Sequence, residues 1–377
     1  MPEIWLGYGN SEIILDIKYE NILYNIRSEF QLLDNESLNK ELEKIPQLKK
    51  NVQILNFNPF VQMIPILRYI NQKSKEIDVN NFEINTVSRN IPQKVKKILT
   101  EDGMTINKIE GQHILEKIKE FEQTIIIENI EYDPLFGFKG AATEIIRSSF
   151  RNEMNDIYSS SVEKYPQSGI KNSALNISNE ISKKLDYEPI HVISNNDGIN
   201  SIFTGNQNNS FSDAIDKFSN ISKKKIDKSK SSIISGNSNF DIQSTLSNSL
   251  NLLWNNLHSV KENGTLILLS ENKMGIGDEK GALLQTIENK LDNTGLKKWE
   301  YLKDLEHINF LNLIKDKLDI YAVSSLPNTF LTKLGIKPLP RIKDGLEVIL
   351  KKYGKNTKIL IIPNSELMQV VEPTNQN

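Results

Sequence analysis

The sequence predicts an α/β protein with two domains and a cleft between them, built on mainly parallel sheets. Three observations predict this class. Strand-sized apolar runs alternate with segments of helical periodicity. The length of 377 residues suits two domains. After a lysine-rich stretch, the alternation of strands and helices begins again. Such alternation is typical of parallel sheets whose faces are covered by helices.

The first α/β unit is predicted from short apolar runs separated by helical patterns. A strong turn, Ser194 to Gly198, predicts that the runs on either side of it form a hairpin. Strands are expected at 12–17, 52–57, 82–87, 124–127, 190–193 and 199–204, and helices at 63–77, from 92 onward, at 112–121 and at 213–218.

A linker is predicted at 221–230, because this lysine- and serine-rich stretch has no core face. The expected N-terminal domain is therefore 1–220 and the expected C-terminal domain is 231–355. Gly354 is expected to end the last helix. In the second unit, strands are expected at 231–235, 265–269, 320–323 and 358–362, a turn at 262–264, and helices at 242–258, 311–318 and 344–353.

Composition excludes several classes of function. The 46 basic and 48 acidic side chains give a net charge of −2, which favours neither nucleic acid nor an anionic membrane as a partner. Apolar runs are strand-sized, far short of a membrane span. The absence of cysteine excludes disulfides, thiolate metal sites and cysteine nucleophiles. We expect a cytoplasmic protein.

The stretch 124–147 carries the strongest candidate site. A buried strand leads through a turn of small residues, with Gly137 and Gly140, into a helix. Glycines allow close approach to the backbone, and a helix N-terminus attracts anions, so a phosphate or small carboxylate is a candidate ligand. A tight turn whose small residues serve packing is the alternative. The four histidines are not paired at helical or strand spacing, so no metal site is predicted.

Residues 133–143, DPLFGFKGAAT, resemble a motif of the nickel-dependent lactate racemases, the nickel-pincer family. That family carries a comparable strand followed by His-x-x-x-Gly-Phe-Ser-Gly-Gly-x-Lys. Gly137, Phe138 and Gly140 match this frame. Other stretches resemble the family in the same order, and they are 7–9, 169–173, 203–205, 262–269, 271–277 and 344–363.

This resemblance spans nearly the whole chain and implies the family's fold and chemistry. It implies two domains, with the last segment, 356–371, returning to the first. In the family, the motif lysine holds a nickel-pincer nucleotide and histidines ligate nickel and exchange protons. An amine can form a covalent cofactor adduct, and imidazole suits Ni(II) better than a carboxylate does.

The resemblance also shows where this chain departs from the family. Thr143 occupies the cofactor-lysine position, while Asp133 and Ser159 occupy the positions of metal histidines. Asn58 stands where the family has a substrate-binding arginine, and Ser249, with Leu246, stands where it has a Lys/Gln pair. Together these replacements predict no bound cofactor and no metal. For Trp254 and Trp299 we expect packing roles only.

The sequence therefore favours a lactate racemase-like pseudoenzyme that binds a ligand. One form of this hypothesis is an accessory subunit that pairs with an intact paralogue. The alternative is an active nickel-dependent racemase or epimerase of a small 2-hydroxy acid with a rearranged site. In that alternative, Lys139 on the motif loop could replace the missing lysine.

Overall fold

In a computed structural model, the structure describes residues 3–26, 30–88, 91–161, 164–236, 243–291 and 301–373. The strands in these ranges are, in chain order, β1 (Glu3–Tyr8), β2 (Ser11–Asp16), β3 (Ile22–Asn25), β4 (Asn51–Asn56), β5 (Asn81–Thr86), β6 (Ile106–Lys108), β7 (Gln123–Asn129), β8 (Glu131–Asp133), β9 (Gly137–Lys139), β10 (Glu188–Ser194), β11 (Ile199–Phe203), β12 (Lys223–Lys225), β13 (Ser229–Ser235), β14 (Val260–Leu269), β15 (Asp319–Val323), β16 (Lys337–Leu339), β17 (Ile359–Ile362) and β18 (Gln369–Val371).

The α-helices alternate with these strands through most of the chain. They are α1 (Asn35–Leu42), α2 (Ile64–Glu76), α3 (Gln93–Glu101), α4 (Ile114–Glu120), α5 (Ala141–Ser149), α6 (Arg151–Ser161), α7 (Ser173–Ser182), α8 (Gln207–Ser222), α9 (Leu246–Asn255), α10 (Ala282–Ile287), α11 (Leu305–Ile314), α12 (Asn328–Lys333) and α13 (Ile342–Tyr353). Within the described ranges, no helix combines the length and the apolar character that crossing a bilayer requires.

The first sheet has six strands in the order β11-β10-β7-β4-β5-β6. Every neighbouring pair is parallel except β10 and β11, which form the predicted antiparallel hairpin. Apolar side chains of α2 and α3 pack on one face of this sheet, and those of α4 and α5 pack on the other. Burial of both faces explains why apolar residues stand at consecutive positions in the central strands, such as Ile125 to Ile127 in β7.

The second sheet also has six strands, in the order β16-β15-β14-β13-β17-β3, and all of its pairs are parallel. The antiparallel hairpin of β1 and β2 packs with α13 on one face. Helices α9, α10 and α11 pack on the other face. The predicted fold class, α/β with mainly parallel sheets, is confirmed.

Both ends of the chain contribute to the second sheet. β3 is its edge strand, and β17 lies between β13 and β3. β18 instead pairs with β12, and the side chain of Gln369 donates a hydrogen bond to the backbone oxygen of Ser168 at 2.6 Å. The domain limits 1–220 and 231–355, and the return of 356–371 to the first domain, stay predictions.

The stretch 221–230, predicted to be a linker, contains regular structure. It includes the end of α8, all of β12 and the start of β13. β12 pairs in parallel with β18 through backbone groups, so its three lysines need no apolar face to form a strand.

Other elements also differ from their predicted limits, among them the helix expected at 213–218, which spans Gln207–Ser222. The turn expected at 262–264 lies inside β14, where Asn263 has a φ of 61° and the pairing with β13 shifts register. Such a shift is typical of a β-bulge, which keeps a strand continuous past turn-forming residues. The helix expected at 311–318 begins at Leu305 and ends at Ile314. The prediction missed its start because the polar residues Glu306 and His307 in the first turn hide the apolar periodicity.

Candidate functional site

The candidate site lies at the carboxyl edge of the first sheet, where open α/β sheets place ligands. After β7, the chain forms the small antiparallel hairpin of β8 and β9 and then enters α5. This hairpin and the first turn of α5 hold the residues of the motif. Asp133, Gly137, Gly140 and Thr143 therefore lie on one continuous segment, 133–143.

Gly137 and Gly140 are required by packing against the protein itself. Gly137 has a φ of 86°, and a Cβ atom added to it would lie 1.9 Å from the backbone oxygen of Ile170. A Cβ added to Gly140 would lie 2.4 Å from a ring carbon of Phe211. These contacts favour the packing interpretation of the small-residue turn over close approach of a ligand.

Thr143 caps the helix that follows the turn. Its hydroxyl accepts a hydrogen bond from the backbone N–H of Gly140 and donates one to the backbone oxygen of Gly140, both at 3.0 Å. The side chain is fully buried. The hydroxyl of Thr143, which the sequence motif aligns with the family's cofactor lysine, is thus committed to closing the first turn of α5.

Asp133 is also fully engaged by the protein. One carboxylate oxygen accepts hydrogen bonds from the backbone N–H groups of Leu135 and Phe136, at 2.8 and 2.7 Å. The other accepts from Nη2 of Arg147 at 2.7 Å. At the position of a metal histidine, the carboxylate therefore faces a guanidinium.

Arg147 connects the motif to the second sheet. Its Nη1 donates to Oε1 of Glu306 at 2.6 Å and to the hydroxyl of Tyr301 at 2.7 Å. Its guanidinium also lies over the ring of Phe136, 5.1 Å from the centroid. Burial raises the pKa of the Glu306 carboxyl, but Arg147, together with His307 and hydrogen bonds to the carboxylate, holds the pKa below its ordinary value.

A second charged group lies beside the first turn of α5. Lys139 forms an ion pair with Glu131 at 3.0 Å. Burial alone would lower the pKa of Lys139, but the carboxylates of Glu131, Glu144 and Glu128 outweigh burial and raise it. Burial and the nearby Glu144 charge raise the pKa of Glu128 well above its usual range.

The remaining candidates near the first sheet, Asn58 and Ser159, both lie on the surface. Asn58 is exposed, and its amide donates to a carboxylate oxygen of Glu144 at 2.9 Å. Ser159 is exposed on α6. Within the described ranges, no group of three or more histidine or acidic side chains is arranged to hold a metal ion.

Leu246 and Ser249, which the sequence comparison aligns with the family's Lys/Gln pair, make contacts within the protein. Leu246 is buried in the core beneath the second sheet. The hydroxyl of Ser249 donates to the backbone oxygen of Leu246 at 3.2 Å and to Oδ1 of Asn272 at 2.8 Å. The loop of Asn272 also packs on the N-terminal hairpin, since a Cβ added to Gly9 would lie 1.7 Å from Oε2 of Glu271.

Trp254 is buried and packs, as expected, but it also makes a polar contact. Its Nε1–H donates to Nδ1 of His307 at 2.8 Å. Of the other histidines, His191 is fully buried, and burial lowers its pKa to about 3. Trp299 lies outside the described residues.

Sequence reasoning missed Arg147, Glu306 and Tyr301. Arg147 follows Thr143 by one helical turn, which is a weak signal that both face the same region. Nothing local links it to Glu306, which is 159 residues away along the chain.

Comparison with known proteins identifies the fold. No family model and no curated protein matches the sequence. Among solved structures, the chain is similar to the lactate racemase apoprotein from Thermoanaerobacterium thermosaccharolyticum, with a TM-score of 0.80, 16% identity and coverage of 98% of this chain and 100% of that one. It is also similar to a protein from Thermotoga maritima, with a TM-score of 0.59, 12% identity and coverage of 92% and 100%.

These similarities place the chain in a structural class of two-sheet α/β proteins. Within that class, its fold is the lactate racemase fold, as the sequence motifs predicted.

Proposed function

We propose that this protein is a catalytically degenerate relative of lactate racemase that acts by binding a ligand or a partner. The observation that carries the proposal is the state of the two motif positions, Thr143 and Asp133. Both side chains are buried and hydrogen-bonded to the protein. Groups committed in this way contribute to the stability of the turn and offer little to a cofactor.

The residues present do not fit a nickel-pincer nucleotide. A threonine hydroxyl without a nearby base is a poor nucleophile. The carboxylate of Asp133 is a harder ligand than the imidazole that suits nickel. It also faces the guanidinium of Arg147, and a second cation beside that charge would be repelled.

The alternative, an active nickel-dependent racemase or epimerase of a small 2-hydroxy acid, needs a replacement lysine. Lys139 is the candidate, because it lies on the motif loop. Its ion pair with Glu131 and its raised pKa keep the amine protonated, and a protonated amine is not a nucleophile. The geometry therefore favours the degenerate relative.

The nature of the ligand and partner is part of the same proposal. A small carboxylate or phosphate could bind at the start of α5 through backbone N–H groups. The carboxylates of Glu131 and Glu144 oppose such a ligand, whereas Lys139 favours it. An intact paralogue is the proposed protein partner, and the proposed location is the cytoplasm. The near-neutral charge argues against nucleic acid.

The test is expression with nickel and the cofactor-making enzymes. Bound nickel, intact mass and interconversion of D- and L-lactate would be measured for the parent protein and for Lys139→Ala. Lactate racemase from T. thermosaccharolyticum, produced in the same cells, is the positive control. We expect a bare polypeptide mass, no stoichiometric nickel and no racemisation.

A cofactor-sized mass increase in the parent protein that is lost in Lys139→Ala would overturn the proposal. That result would establish the rearranged-site enzyme in its place.

A further inference from the structure

We propose that Asp133, Arg147 and Glu306 form a latch that holds the two sheet layers together across the cleft. Arg147 is its central cation, bonded at once to a carboxylate of the first layer and a carboxylate of the second. The latch does not depend on whether the protein is catalytic.

The two carboxylates belong to different layers of the fold. Helix α5, which carries Arg147, packs on the first sheet through Ala141 and Ile145. Helix α11, which carries Glu306, packs on the second sheet through several apolar residues. Opening the cleft therefore requires the Arg147–Glu306 contact to break.

The geometry of the latch is that of a strong charge-assisted contact. Its N···O distances are 2.7 Å to Asp133 and 2.6 Å to Glu306. The side chains of Arg147, Asp133 and Glu306 are only 18%, 8% and 4% exposed. Burial limits screening by water and salt, so loss of one partner leaves an uncompensated buried charge.

Tyr301 reinforces the latch from the second layer. Its hydroxyl accepts from Arg147 and donates to Glu306, so it fixes the carboxylate against the guanidinium. Its backbone N–H donates to the side chain of Asn155 on α6, which is a second polar contact between the layers. The rings of Tyr301 and Tyr158 also pack together, with centroids 5.8 Å apart.

The latch has a consequence for binding in the cleft. Arg147 lies against Asp133, beside the turn that carries the motif, so any anionic ligand that reaches this point competes with Asp133 and Glu306 for the guanidinium. Separation of the two sheet layers therefore requires the charge on Arg147 to find another partner.

Hydrogen exchange and small-angle X-ray scattering of the full chain test the latch. The variants are Arg147→Met, which removes the cation, and Glu306→Gln, which keeps the shape but removes one charge. The matched control is Arg68→Met, because Arg68 forms a bidentate but exposed ion pair with Asp102 within the first layer.

We expect both latch variants to exchange at least about tenfold faster in α5 and in the first turn of α11, since a broken buried pair is costly. We also expect a larger radius of gyration, and no change in these helices for Arg68→Met. In the double variant, which combines Arg147→Met and Glu306→Gln, exchange should be no faster than in Arg147→Met, because the contact is already lost.

Glu306→Gln provides the same readout if Arg147→Met does not fold. Unchanged exchange and radius of gyration in the folded latch variants, or independent effects that add in the double variant, would overturn the latch.

Discussion

Two side chains of the motif, Thr143 and Asp133, make hydrogen bonds that stabilise the turn. Thr143 closes the first turn of α5, and Asp133 binds two backbone N–H groups and a guanidinium. The motif comparison could predict which positions had changed, because it depends on order along the chain. It could not predict what Asp133 binds, because Arg147 reaches Glu306 only through the folded chain.

Thr143→Val should lower the free energy of unfolding by about 1 kcal/mol, because the hydroxyl caps α5 and valine has the same shape without it. Urea denaturation followed by circular dichroism would measure this. Thr143→Ser is the control, since it keeps the hydroxyl and should lose less stability. Unchanged stability of Thr143→Val would show that the hydroxyl cap does not stabilise the fold.

At the scale of elements, apolar patterns predicted the central strands and missed several short strands, such as β6 and β12. β4 and β7 are buried on both faces, so apolar residues stand at consecutive positions in them, such as Ile54 and Leu55 in β4 and Ile125 to Ile127 in β7. β12 consists of three lysines, and its partner β18 lies near the other end of the chain. A strand held by distant backbone pairing gives no local signal, so a linker was the natural prediction there.

The pairing of β12 changes the result expected from limited trypsin digestion. Lys223–Lys225 should be cut slowly while the ladder with β18 is intact, because a protease must unfold a strand to cleave it. Val370→Pro removes the backbone N–H that ties β18 to the side chain of Asn256. A loosened β18 should release β12 and make 223–225 an early cleavage site. Val370→Ala keeps that N–H and is the control. Rapid cutting at 223–225 in the parent protein would instead support the linker.

At the scale of the whole molecule, the fold is recognisable where the sequence has diverged. The chain shares only 16% identity with a lactate racemase, yet covers all of that structure with a TM-score of 0.80. Apolar residues at buried positions can be exchanged with modest cost, so a core survives divergence. Catalytic side chains have no such equivalents, which is why the fold class could be predicted and the function of the cleft could not.

Acid stability of the whole protein should depend on His191. This side chain is fully buried on β10, its Nδ1 lies 3.3 Å from the hydroxyl of Ser210, and burial lowers its pKa from 6.5 to about 3. As the pH falls from 6.5 towards 3, the unfolded chain binds a proton that the folded chain does not. The free energy of unfolding therefore falls with pH in this window, by an amount on the order of a few kcal/mol.

His191→Phe removes the titrating group and keeps a ring that can stack on Phe211. We expect the free energy of unfolding of this variant to fall less between about pH 7 and pH 4.5, because the unfolded chain gains one proton fewer. Chemical denaturation at several pH values would measure the difference. His113→Phe is the control, since His113 is exposed on the surface beside Glu116. A parallel decline for His191→Phe and the parent protein would show that other groups, such as His258, whose pKa burial also lowers, set the acid limit.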